Sequence, residues 1–506
     1  MSLNSLISYI SESQVIVELV RRIKNYDELN IVGSSRYAKS IIINSIANKE
    51  KKDILLITPN EEISYKWFGY FDSLENRNVL YYPPTKKLPY ASINKSKETE
   101  YSQLSVLSKL TQNNKQDLNI IITTERALQP HLINKKTFSE SIITLFKGKK
   151  IEINKLTNKL VLLDYSRENT TSQEGSWSRR GDIIDIYPVN NELPVRIEFF
   201  DNVIDKIREY DPVTQRTLDN INEVEIVQVG FNLLIRKKLE YISKENIFNS
   251  EETTTKNNLD RYLGIIEEYP SNLLNYINED TIIVIDEIED CNKFANNWYI
   301  ESENNFDQYK DDISHKLLSN NININVKPNL HKKFDEIEES FSKFSVINLF
   351  EFELNRNINN RFLLSDKRIN SSSKNIGRLS RDINKYILNK DKVWILSAQP
   401  LRTRSLFFDH DCNSNYLEKS NDLDTAYKLI DKSIPIIIKN KSNYDIEGFY
   451  LPIWKVILIT DKELFSQQSL FNNVFIRRKK RSINTNINLN KINPGDYIVH
   501  KNHGIG

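Results

Sequence analysis

Apolar positions in this chain fall into two kinds of run. Leu29 to Val32, Ile54 to Thr58 and Ile120 to Thr124 are short continuous runs that predict buried strands, and the first two pass into helical stretches. An amphipathic start (Val15, Leu19, Ile23) precedes them, a helix is predicted near Tyr101 to Leu110, and Thr281 to Asp286 is a further apolar strand. Strands alternating with helices predict a parallel α/β sheet. Tyr262, Ile265 and Ile266 recur at helical spacing. A helix (Phe334, Ile337, Phe341), a strand (Val346 to Phe352), a polar linker (Asn355 to Asn375), a helix (Leu379, Ile383, Ile387) and a strand (Val393 to Leu396) follow.

Between Arg179 and Thr217 the period changes to two. RRGDIIDIYP, the turn VNNELP and VRIEFF predict an antiparallel hairpin, with a third strand from Val203 to Glu209. Parity puts Val195, Ile197 and Phe199 on a core face and Arg196, Glu198 and Phe200 on the other, with Arg180 entering the neighbouring strand. Aromatic plus arginine on one sheet face is interface composition. The same pattern also fits a covering layer over Phe200 with both arginines paired to carboxylates such as Asp182 or Glu198, and it leaves both readings open. A β-rich approach that includes Leu160 to Leu163 and Trp177 is expected to lead into the hairpin.

A chain of 506 residues predicts several domains, and its net charge of +2 supplies no global field for nucleic acid, so any such binding must come from local patches. Two cysteines, Cys291 and Cys412, form no disulfide framework and no metal-ligand spacing, which suits a reducing cytoplasm. No signal-peptide pattern opens the chain and no apolar run reaches about eighteen residues, so neither secretion nor membrane spanning is expected.

The stretch from RRGDIIDIYP through PVRIEFFDNVIDKIREYDPVTQRT resembles domain 2 of the UvrB-homology module, shared by the excision-repair protein UvrB and the Mfd family of transcription-repair coupling factors. In that family the sheet docks onto UvrA. The resemblance implies that Arg180, Arg196 and Phe200 make the contact. It also implies a RecA-like, helicase-type domain 1A over 1–145, the UvrA-binding domain 2 inserted at 146–230, and domain 1B over 231–365.

Gly33-Ser-Ser-Arg-Tyr-Ala-Lys39-Ser40 follows the first strand and has a P-loop's position and nearly its spelling. Arg36 and Ala38 stand where UvrB-like loops carry glycine, and side chains there would crowd a phosphate. Asp286 and Glu287 end an apolar strand as a Walker B pair does, with one acid for Mg2+ and one for the attacking water. The set Gly33, Lys39, Ser40, Asp286 and Glu287 is therefore read as a degenerate nucleotide site, expected to be inactive. YYPPTKKLPYAS, Tyr81 to Ser92, resembles the coupling-factor segment at this place, and the short connection after it leaves no room for UvrB's DNA-clamping hairpin.

A third, small α/β domain is expected over 366–470, closing with GFYLPIWKVILITDKELF. Trp394 and Trp454 read as core residues. A basic linker, 471–491, contains FIRRKKR. From 492 to 506, PGDYIVHKNHGIG is similar to the opening of the CarD-like β-barrel with which coupling factors grip RNA polymerase, and His500 and His503 read as barrel residues, with no metal role. The chain stops inside that barrel's first hairpin, the mark of a fragment. The resemblance implies that the remainder holds the rest of the barrel and an ATP-driven double-stranded DNA translocase. ATP and Mg2+ are expected there, and no cofactor in this fragment. The expected function is recruitment of UvrA to RNA polymerase stalled at lesions; a UvrB-like ATP-dependent helicase subunit is the alternative enzyme reading, and a regulator built around the barrel a more distant one.

Overall fold

The computed structural model describes residues 3–25, 28–85, 87–91, 96–112, 118–232, 235, 238, 259–319, 327–352, 360–369, 376–418, 422–440, 444–465, 499–500 and 504–505. The basic linker and most of the expected barrel opening lie outside the described residues. The strands in chain order begin with β1 (Glu28–Val32), β2 (Ile54–Thr58), β3 (Asn78–Tyr81) and β4 (Asn119–Thr124). Then come β5 (Ile143–Phe146), β6 (Ser166–Arg167), β7 (Ser176–Arg180), β8 (Ile183–Tyr187), β9 (Val195–Phe200), β10 (Val203–Tyr210), β11 (Thr217–Ile221) and β12 (Glu223–Ile226). They are followed by β13 (Ile282–Asp286), β14 (Ser345–Phe350), β15 (Arg361–Leu363), β16 (Lys367–Arg368), β17 (Lys392–Ser397), β18 (Asn415–Tyr416), β19 (Ile436–Lys439), β20 (Phe449–Leu451) and β21 (Val456–Thr460). Val499–His500 pairs with Gly504–Ile505 in a separate short hairpin.

The chain divides into two compact units, 1–139 with 234–476, and 140–233 with 477–506. In the first unit seven strands form one parallel sheet in the order β15-β1-β14-β13-β2-β4-β3. β2 and β13 are buried at every position, which is why both read as continuous apolar runs: each face of a parallel sheet is covered. Helices α1 (Asn4–Ser11), α2 (Gln14–Asn25), α3 (Arg36–Glu50), α4 (Glu61–Leu74) and α5 (Lys97–Thr111) precede β4. Ser35, Asn60 and Ser96 cap α3, α4 and α5 by accepting from the backbone N–H three residues on.

The segment expected as a polar linker is structural where it is described. β15 joins the edge of the parallel sheet beside β1, and β16 pairs with β20. Arg361-Phe-Leu supplies the alternation that an open sheet edge accepts, and neighbouring Asn and Ser residues mask that signal. A second, mixed sheet runs β16-β20-β21-β17-β19-β18. Its Trp394, Leu458 and Phe449 lie in one hydrophobic cluster with Leu6, Ile7 and Ile10 of α1 and Ile42 and Ile46 of α3. The indole N–H groups of Trp394 and Trp454 donate to Ser5 Oγ at 3.1 Å and Ser13 Oγ at 2.8 Å. Both tryptophans are buried core residues.

The second unit is built on the sheet β11-β10-β9-β8-β7-β6 and the pair β12-β5. Leu160 to Leu163, expected in a β-rich approach, belong instead to the end of a helix, Ile153–Leu162, and its C-cap. Ile153, Leu156 and Leu160 recur at helical spacing and lie in one cluster with Ile184 and Ile197, and this amphipathic period outweighs the continuous apolar tail of the run.

Candidate functional site

The P-loop-like turn keeps its backbone shape. Gly33 has φ +89° and donates its N–H to Phe350 O at 2.9 Å, and Ser34 has φ 68°. A phosphate cradle needs free backbone donors and free cations, and here the N–H groups of Gly33 and Ser35 and the cations of Arg36 and Lys39 are engaged. Asp366 Oδ2 accepts from Ser35 N–H at 3.2 Å, so a carboxylate from 331 residues away lies at the N-terminus of α3, where an anion is favoured. Leu364 O would meet a Cβ on Gly33 at 2.6 Å, so the chain itself closes over the glycine.

Lys39 Nζ donates to Phe350 O at 2.9 Å and the side chain is 1% exposed. Burial pushes its ammonium below the usual lysine range, against the attraction of Asp286 and Glu287. Ser40 Oγ turns back to Tyr37 O at 2.6 Å. Arg36, at a position that a working loop fills with glycine, reaches across the sheet end to Asp286 Oδ2 at 2.9 Å, and Trp67 Nε1 donates to the same oxygen at 2.8 Å. Glu287 Oε1 accepts from Glu351 N–H at 2.5 Å, and burial raises its carboxyl above the ordinary range. The five residues Gly33, Lys39, Ser40, Asp286 and Glu287 are thus brought to one place, where Lys39 Nζ, Ser40 Oγ, Asp286 Oδ2 and Glu287 Oε1 are bonded to neighbours in the chain while Asp286 Oδ1 is buried without a partner. Asp366, Trp67 and the Phe350 carbonyl were not legible as members of this site, since only the fold brings them there.

On the second unit's sheet, residues opposite each other across strands share a face. One row is Arg180, Ile183, Glu198 and Lys206; the next is Ser178, Asp185, Arg196, Arg208 and Asn220. Phe200 and Val203 flank the turn at Asp201, whose φ is 57°. Val195, Ile197 and Phe199 are buried on the opposite side, as their parity predicts.

The two readings of this face hold at different ends of it. Around Arg196 it is covered: Asp185, Thr171, Ser178 and Tyr210 are buried, Thr171 Oγ1 donates to Ser178 Oγ, and Tyr210 Oη donates to Thr171 O. Arg196 makes two parallel bonds to Asp185, 2.7 and 2.9 Å, and lies 4.8 Å over the Tyr210 ring. Its partner is neither Asp182 nor Glu198; the latter pairs with Arg208 at 2.9 Å. The other end is open. Phe200 is 80% exposed, Arg180 is exposed, and Ile183 and Val203 add apolar surface that the sequence reading missed.

Among the described residues no group of three or more His, Cys, Asp or Glu is placed to hold a metal ion, and no helix is long and apolar enough to cross a membrane. Residues 143–229 match the family described as UvrB interaction domain, and the exposed face lies within that stretch. Residues 368–466 match the family described as cyanobacterial Mfd, Rossmann-like domain. Along nearly its whole length the chain is similar to transcription-repair-coupling factors. It is 26% identical to that of Bacillus subtilis (strain 168) over 99% of this chain, and 25% identical to one from Staphylococcus epidermidis over 99%. A third relative, from Staphylococcus aureus, is 24% identical over 97% of the chain. The chain spans 43% of the length of each of these relatives.

Proposed function

We propose that this chain is the UvrA-recruiting portion of a transcription-repair coupling factor, linking RNA polymerase stalled at a lesion to excision repair in the cytoplasm. The observation that carries the reading is Phe200, 80% exposed at the same open end of the sheet as Arg180 and Ile183. A large aromatic in water with cations nearby has the composition of an interface anchor. In this reading Phe200 is desolvated against UvrA, Arg180 meets a carboxylate there, and Arg196, clamped to Asp185, presents its remaining N–H donors at the edge of the contact. RNA polymerase contact is assigned to the barrel that would follow the basic linker. ATP, Mg2+ and translocation on double-stranded DNA are assigned to motor domains of a longer protein.

The alternative, a UvrB-like ATP-driven helicase subunit, would need the cradle around Lys39 for phosphates. Arg36 on Asp286 and Asp366 on α3 disfavour it, and we assign no cofactor and no ATP hydrolysis to these residues. The direct test is calorimetric titration of UvrA into the chain and its Phe200→Ala variant. Binding that is lost in folded Phe200→Ala is expected; equal affinity of the two would remove the proposal's main support.

A further inference from the structure

At the carboxyl ends of β3 and β4, Thr85, Leu88 and Pro89 on one connection and Arg126, Ala127 and His131 on the other part to leave a small cleft. Crevices at this end of parallel strands are where open α/β sheets bind ligands. The cleft lies at the far side of β2 from β1 and its turn, so it is separate from the filled cradle. Leu88, Pro89, Leu263 and Leu330 give it apolar walls.

Its polar groups are the unusual part. Arg126 is part-buried with its guanidinium 5.6 Å over the Trp298 ring, and one weak bond at 3.4 Å joins its Nη2 to Lys87 O. No carboxylate forms an ion pair with it among the described residues, and its Nε–H has no acceptor. Trp298 is 7% exposed and its indole N–H also has no acceptor. By contrast, His131 is engaged: Nδ1 faces Gln129 O at 2.5 Å and Nε2 faces the Tyr82 hydroxyl at 2.8 Å. Lys87, Arg126 and Asp260 are the charged residues lining the cleft, and the carboxyls of Glu125, Glu301 and Glu61 also act on Arg126 from nearby. Buried donors of this kind call for acceptors, and a guanidinium held flat by a ring presents a fork that matches a carboxylate.

We propose that this cleft binds a small organic carboxylate with a flat apolar body, the carboxylate meeting Arg126 and the body lying between the apolar walls. The probe is 2-naphthoate, titrated into the whole chain by calorimetry and by quenching of tryptophan fluorescence, with neutral 2-naphthalenemethanol and inorganic phosphate as comparisons. Saturable binding of one naphthoate is expected, with each comparison compound weaker by about tenfold or more. Arg126→Met, which keeps an apolar stem over Trp298, should erase the preference for the acid over the alcohol. If it does not fold, judged by circular dichroism, Arg126→Lys should weaken naphthoate several-fold by losing the planar fork. No saturable binding, equal binding of acid and alcohol, phosphate binding as tightly as naphthoate, or unchanged acid preference in either variant would each overturn the proposal.

Discussion

Arg36 Nε donates to Asp286 Oδ2 across 2.9 Å, so the residue that breaks the glycine spacing of the turn neutralises the acid that closes β13. Asp286 is fully buried, while Arg36 keeps a quarter of its side chain in water. Arg36→Ala leaves a buried carboxylate with Trp67 N–H as its remaining close donor, and a loss of about 2–4 kcal/mol is expected. Asp286→Asn should recover most of that in the double variant, because the amide oxygen still accepts from Trp67. Urea denaturation of the four proteins in the cycle measures the coupling, and additive losses would show that the pair is incidental.

The filled cradle gives Lys39 a structural task. MgATP is expected to leave the thermal midpoint unchanged, since a ligand stabilises a fold only by binding it. Lys39→Ala is expected to cost about 1–3 kcal/mol through the lost bond to Phe350 O. DNA-dependent ATP hydrolysis that disappears in Lys39→Ala would reverse this assignment.

The proposed docking face separates affinity from stability. Phe200→Ala should weaken UvrA binding by about 2 kcal/mol or more with the unfolding curve unchanged, because the ring is already in water. Arg196→Ala should act differently from an ordinary surface change: it strips the buried Asp185 of its bidentate partner, so lower stability is expected along with weaker binding. Ile197→Ala, at a position that is 0% exposed, should cost about 2–5 kcal/mol. Circular dichroism with UvrA titration distinguishes the three, and an Arg196→Ala protein as stable as wild type would argue that the pair with Asp185 contributes little.

Glu125 predicts a pH dependence. Burial pushes its carboxyl from the ordinary 4.5 up to about 8, against bonds from its own and the Arg126 N–H groups. Below about pH 4.5 both folded and unfolded chains hold the proton; between 4.5 and 8 the unfolded chain releases it and the folded chain keeps it. Stability therefore falls as pH rises through that window, by up to about 1.4 kcal/mol per unit, and levels off above it. Glu125→Gln should lack this component, so the difference between the two denaturation profiles isolates it. Parallel profiles would place the carboxyl in a more solvated setting.

The strands were legible because burial on both faces of β2, β4 and β13 writes itself as uninterrupted apolar runs, and Val195, Ile197 and Phe199 declared their inner face by parity. The Ile153–Leu162 helix was obscured by its continuous apolar end, Leu160 to Leu163. β15 was hidden among Asn and Ser residues, since an edge strand three residues long needs little apolar content of its own. At the cradle, Arg36 and Ala38 signalled a lost ligand, but nothing local could name Asp366 as the group at the helix end. Arg196 was readable as a face residue, whereas its choice of Asp185 over Asp182 or Glu198 depended on strand register.

Helix α1 sits with one cluster shared between the parallel sheet and the mixed sheet, joined by Ser5 to Trp394, with Ser13 beyond its end joined to Trp454. Among the described residues this seam is continuous apolar packing. A tug applied at β21 would reach β1 through packed side chains with little bending, so the unit should behave as a stiff lever arm. Packing of that kind passes displacement at one end of the seam on to the other.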